Sequence, residues 1–214
     1  MSDEPVLSTI QTTLRAYVTL DATVTYAAVS LIAVIFLGEI LMTALTSLGH
    51  IQVFATGIFG VSPAVAWPVS PVLHRGFPHF AASVIGLLVL GVPVEQHWSR
   101  NRYTAFLLLT GYGTIVAGAG VLWIFADQSV AFYGTSGVIY ALAGYSLTHL
   151  PRHHSALSAI ETVAVAVGAL ALLFVLFDLF TGPYFTAQWV NGGHLSGFVI
   201  GAGVGWSGSS RCVL

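Results

Sequence analysis

From Val24 to Gly38, and again from Thr162 to Phe177, the chain runs without a single charged side chain. A bilayer core about 30 Å thick takes roughly 20 apolar residues of helix, and lipid offers no partner to an unpaired backbone amide. Runs of this kind therefore fold as helices in a membrane. Only 7% of the 214 residues are charged, where soluble domains carry roughly 25%. The mean hydropathy of +0.88 agrees. The fold class expected is all-α: a polytopic, multi-pass integral membrane protein with six transmembrane helices.

Six segments carry that expectation: 24–46, 79–95, 102–124, 136–150, 160–181 and 192–207. The first and fifth are the clearest by length and apolarity. The third contains Gly111, Gly113, Gly118 and Gly120, which allow close helix approach. The fourth and sixth are short, since fifteen helical residues reach only about 22 Å. The stretch 47–78 is broken by Pro63, Pro68, Pro71 and Pro78, and its Phe54, Phe59 and Trp67 suit a loop at the membrane interface. Residues 1–22 open with acids and lack the positive region of a secretory signal, so they read as a cytosolic tail. Residues 23–207 then form one membrane domain, and 208–214 a C-terminal tail.

All six basic residues are arginine, the net charge is −2, and no basic run exists, which argues against a nucleic-acid partner. Cys212 is the sole cysteine, excluding an internal disulfide and a multi-cysteine metal site. His153-His154 lack a third ligand in the sequence, so neither metal nor cofactor is expected. Placing the N-terminus in the cytosol puts Arg15, Arg100, Arg102, Arg152 and Arg211 inside and only Arg75 outside. Both termini are then cytosolic, and the membrane is the plasma membrane if the source is prokaryotic.

That topology has a chemical consequence. Helices two, four and six all run inward, so His79, Ser136 and His194 come to one depth in the outer half of the bilayer. Serine is a poor nucleophile until a base takes its proton, and histidine is the usual base near neutral pH. Free N–H groups at a helix start, including that of Ser136, point where an oxyanion would form, and His79 can add a side-chain donor. Gly134 permits a sharp turn before the serine. On the last helix Gly193, Gly197, Gly201 and Gly205 recur every four residues; on the fourth, Gly137, Ala141 and Gly144 share a face. Two smooth faces let backbones approach closely. Tyr140, one turn beyond Ser136, is positioned to stack on the imidazole of His194. Of the acids Asp127, Glu161 and Asp178, none is placed to orient that ring. Glu95 reads as an anchor for the loop that follows it. His50, His97, His149, His153 and His154 read as solvated.

Four stretches, in order, resemble the rhomboid family of intramembrane serine proteases. They are His74-Arg75-Gly76-Phe77-Pro78-His79; Glu95 with Arg100 and Arg102; Gly134-Thr135-Ser136-Gly137 with Tyr140; and Asn191-Gly192-Gly193-His194 with Gly197 and Gly201. The resemblance implies a six-helix bundle with a water-filled cavity opening outward. It implies Ser136 as nucleophile, His194 as general base and His79 as oxyanion donor, with Asn191 at the polar mouth. The family usually has asparagine four residues after the second histidine, where this chain has Ser83, a shorter donor. The first loop also lacks the family's Trp-Arg pair.

The reading that follows is a serine endopeptidase that cuts transmembrane protein substrates in or next to their membrane segments. The alternatives are an inactive rhomboid-like protein that binds transmembrane helices, or a small transporter in which His79 and His194 relay protons.

Overall fold

The computed structural model describes residues 20–46, 69–126, 133–181 and 189–208. The described residues form six long helices: α1 (Thr23–Thr46), α2 (Phe77–Glu95), α3 (Arg100–Ala126), α4 (Ser136–His153), α5 (Ala159–Thr181) and α6 (Trp189–Ser207). A single 3₁₀ turn, Ser70–Val72, precedes α2. Among the described residues, three helices are long and apolar enough to cross a membrane: Thr23–Leu45, Phe77–Glu95 and Ala159–Phe177. Leu37, Leu41 and Leu45 on α1, and Leu170, Leu173 and Phe177 on α5, remain exposed, as side chains facing lipid tails would. Much of the expected interfacial loop (His50, Phe54, Phe59 and Trp67 among it) lies outside the described residues. So do Arg15, Asp127, Arg211 and Cys212.

Local sequence accounts for the helix ends. Pro78 occupies the first turn of α2, where a missing N–H is no loss. Ser158 and Glu161 start α5 with a reciprocal cap: Ser158 N–H and Oγ donate to Glu161 Oε2 at 2.8 and 2.7 Å, and Glu161 N–H returns to Ser158 Oγ. Within α2, residues Leu87–Gly91 form a π turn just ahead of Pro93. Proline cannot donate to the carbonyl four residues back and its ring collides with it, and a widened turn relieves both.

Two short helices turn out longer than the sequence suggests. The fourth continues through Pro151 to His153, and the sixth begins at Trp189 rather than 192. His194 therefore sits in the second turn of α6, not the first. At 1.5 Å per residue both helices reach about 27–28 Å.

The fourth helix is the centre of the bundle. Val138, Ala141, Leu142, Ala143, Tyr145, Ser146 and Leu150 are all buried, and α6, α5 and α3 pack around it, α6 most extensively. The glycine ridges face each other there. A Cβ on Gly197 would strike the Gly137 carbonyl, and one on Gly201 the Ala141 carbonyl. Reciprocally, a Cβ on Gly144 would strike the Phe198 carbonyl. Such backbone contact is what small residues permit in lipid, where water does not drive apolar faces together.

Glu95 is an anchor, but not for the loop that follows it. Its two carboxylate oxygens accept the backbone N–H groups of Val24 and Thr25, each at 2.8 Å. It thus caps the start of α1, where a negative charge also suits the helix dipole. Tyr103 Oη reaches the Gly91 carbonyl and Thr25 Oγ1 beside it, both at 3.2 Å.

Candidate active site

The turn before α4 is held in place by its neighbours. Gly134 has φ +109°, in the region that L side chains avoid, and its N–H donates to the Ser70 carbonyl at 2.8 Å. Thr135 stands in the capping position, yet its hydroxyl donates to the Pro71 carbonyl at 3.0 Å and caps nothing. The first N–H groups of α4, beginning with that of Ser136, consequently have no side-chain cap. Ser136 is half-buried, at N1 of the helix.

His79 lies against this turn. A Cβ on Gly134 would stand 2.7 Å from His79 Cε1 and 3.0 Å from Nε2, so glycine is required for space as well as for φ. The Arg75 N–H donates to His79 Nδ1 at 3.3 Å. A ring nitrogen that accepts carries no proton, which puts the ring proton of neutral His79 on Nε2, the atom beside Gly134. One turn further on, Ser83 is buried, and its hydroxyl has no hydrogen-bond partner among the described residues.

From the other side, the imidazole of His194 stacks on Tyr140, with ring centroids 4.2 Å apart and planes 17° from parallel. Both ring nitrogens of His194 are buried without a hydrogen-bond partner among the described residues. The hydrogen bond that a Ser136–His194 dyad would use is therefore not present. Hydrogen bonds of this kind are often long in unliganded enzymes and tighten with substrate. Gly193 and Gly197 pack this part of α6 against Thr114 on α3. Asn191 is in the first turn of α6; its side chain lies outside the described residues.

Two features escape a reading of the sequence. Glu39, buried in α1, accepts the backbone N–H of His74 at 3.0 and 3.3 Å, steadying the segment that carries Ser70 and Pro71. A lone acid inside an apolar span is the signal that points to it. The histidines read as solvated are the second. His149 is buried and stacks on Tyr145 at 4.6 Å, while His97 and His154 are half-buried beside Glu161. His97, in the loop between α2 and α3, has its pKa lowered, first by burial and then by His154, with Glu161 opposing. Glu161 is a whole helix length from Ser136 and has no part in that site.

A family model described as the rhomboid domain matches residues 63–211. Over 135 residues, 63% of the chain, the sequence is 30% identical to RHOMBOID-like protein 5 of Arabidopsis thaliana. That match covers 40% of the plant protein, so the chain spans well under half the length of this relative. With its apolar spans and an ordered match over most of its length, the chain belongs to the rhomboid family of integral membrane proteins.

Proposed function

We propose that this chain is an intramembrane serine endopeptidase with six spans and both termini in the cytosol, in the plasma membrane if its source is prokaryotic. The observation that carries the reading is the backbone contact of α4 and α6, with His194 stacked on a residue one turn from Ser136. In this reading Ser136 Oγ attacks a substrate carbonyl as His194 accepts its proton. The developing oxyanion meets the uncapped N–H groups of α4 and the Nε2–H of His79. His194 then returns the proton to the leaving amine, and water hydrolyses the acyl-enzyme. Substrates are single-pass membrane proteins cut near the outer boundary. A helical carbonyl is already hydrogen-bonded, so glycine, proline or small polar residues near the cut favour cleavage.

The test is cleavage of a transmembrane reporter by purified protein in detergent. Ser136→Ala and His194→Ala are each expected to lower the rate by about 10⁴-fold or more, to background. Their melting midpoints should match the parent's. Cleavage that survives either change sinks the proposal. The unbonded His194 and the Ser83 substitution favour one other reading, a rhomboid-like protein that holds transmembrane helices without cutting them. Labelling by a fluorophosphonate at Ser136 separates the two, because only an activated serine reacts.

A further inference from the structure

At the end of the bundle away from Ser136, three side chains from three different elements meet. They are His97 in the loop after α2, His154 directly after α4, and Glu161 in the first turn of α5. His97 Nε2 is 3.3 Å from Glu161 Oε1, and His154 Nδ1 is 3.6 Å from the same oxygen. All three donor atoms lie within 4.8 Å of one another. Zinc–nitrogen and zinc–oxygen bonds of about 2.0–2.2 Å in a tetrahedron put neighbouring ligand atoms roughly 3.3–3.6 Å apart. The carboxylate-to-imidazole distances have that spacing already.

The surroundings match as well. The other oxygen of Glu161 is fixed by Ser158 N–H and Oγ, at 2.8 and 2.7 Å. A ligating carboxylate is usually held in this way by a hydrogen bond from outside the coordination sphere. The three side chains are 18%, 31% and 13% exposed for His97, His154 and Glu161, which leaves a solvent-side position for water. A plain ion pair needs one imidazole. Here two converge on one oxygen, with their rings 4.9 Å apart and nearly perpendicular.

We propose that His97, His154 and Glu161 bind one divalent transition-metal cation of the zinc class, with water completing a four-coordinate site. Two imidazoles and one carboxylate suit zinc or cobalt, whereas magnesium and calcium take oxygen ligands. The cation would pin the α2–α3 loop, the end of α4 and the start of α5 together. It sits about 27 Å along α4 from Ser136, so its role is structural and independent of any peptide-bond cleavage.

The experiment uses tag-free protein in detergent, stripped with chelator and titrated with cobalt(II). One cobalt per chain is expected, with the visible absorption of a four-coordinate ion, displaced by zinc. His97→Asn, His154→Asn and Glu161→Gln should each weaken binding more than about 100-fold. Ser158→Ala, which removes the hydroxyl that both holds the carboxylate and caps α5, should weaken it by about 10–100-fold. Zinc should raise the melting midpoint of the parent but not of the ligand variants. Absence of saturable one-to-one binding overturns the proposal. So does binding that persists in all three variants while they melt like the parent.

Discussion

The two ends of this helical bundle treat their polar groups in opposite ways. At the Glu95 end, the carboxylate satisfies two backbone amides of α1, Tyr103 bridges Gly91 and Thr25, and Arg152 donates to the Trp206 carbonyl while lying 3.9 Å over its ring. At the Ser136 end, the ring nitrogens of His194 and the hydroxyl of Ser83 are buried with no hydrogen-bond partner among the described residues, and Thr135 turns its hydroxyl away from the helix it precedes. An unmet buried polar group costs about 1–3 kcal/mol. The first end converts polarity into stability; the second leaves donors and acceptors uncommitted. Trp98 Nε1 and Ser146 Oγ, buried without a hydrogen-bond partner among the described residues, are exceptions away from the Ser136 end.

Four substitutions and one control break or sharpen this contrast. The largest effect is expected at Gly197, where a valine would enter the Gly137 carbonyl. Gly197→Val should cost about 3 kcal/mol in a detergent unfolding titration and remove any cleavage. Gly203→Ala, facing open space, is its control and should be neutral. Next is Glu95→Gln, which removes charge-assisted bonds to Val24 and Thr25. A loss of about 2 kcal/mol is expected, with activity per folded molecule unchanged. If stability does not move, the anchoring end is no anchor.

Ser83→Asn probes the other end. The longer side chain should raise cleavage about tenfold by adding a donor, while overpacking costs about 1 kcal/mol of stability. A variant that is less stable and no faster would show that residue 83 is packing alone. The smallest effect is expected from Arg100→Gln. Arg100 pairs with Asp21 at 2.9 Å, both side chains exposed. Hydrogen bonds from Thr23 and then Arg100 hold the Asp21 carboxyl below the usual carboxylate range. Whatever the pair contributes is thus present above that range and fades as pH falls through the lowered value. The melting midpoint at pH 7 should match the parent's.

The helices were legible because lipid imposes a length and a composition, and a run such as Thr162–Phe177 has one reading. The approach of α4 to α6 was legible because small residues at spacing four mark a face. What stayed hidden depends on partners far off in sequence. Nothing near Glu95 says that it meets Val24 and Thr25, and nothing near Glu39 names His74. His97 comes from the α2–α3 loop, and His154 and Glu161 from the two sides of the α4–α5 connection, so their meeting shows only once α2, α4 and α5 have packed. The end of α4 shifted because Pro151 did not stop the helix, which runs on to His153.

The π turn at Leu87–Gly91 acts as a phase adjuster between those two ends. It amounts to one extra residue in a helical turn, a rotation of about 100° for everything beyond it. His79 precedes it and lies against the turn that opens α4, while Glu95 follows it and addresses α1. A regular helix of the same sequence would aim one group or the other at the wrong neighbour. Deleting a single residue from this turn should therefore uncouple the two ends, leaving α2 as well formed as before but facing correctly at only one of them.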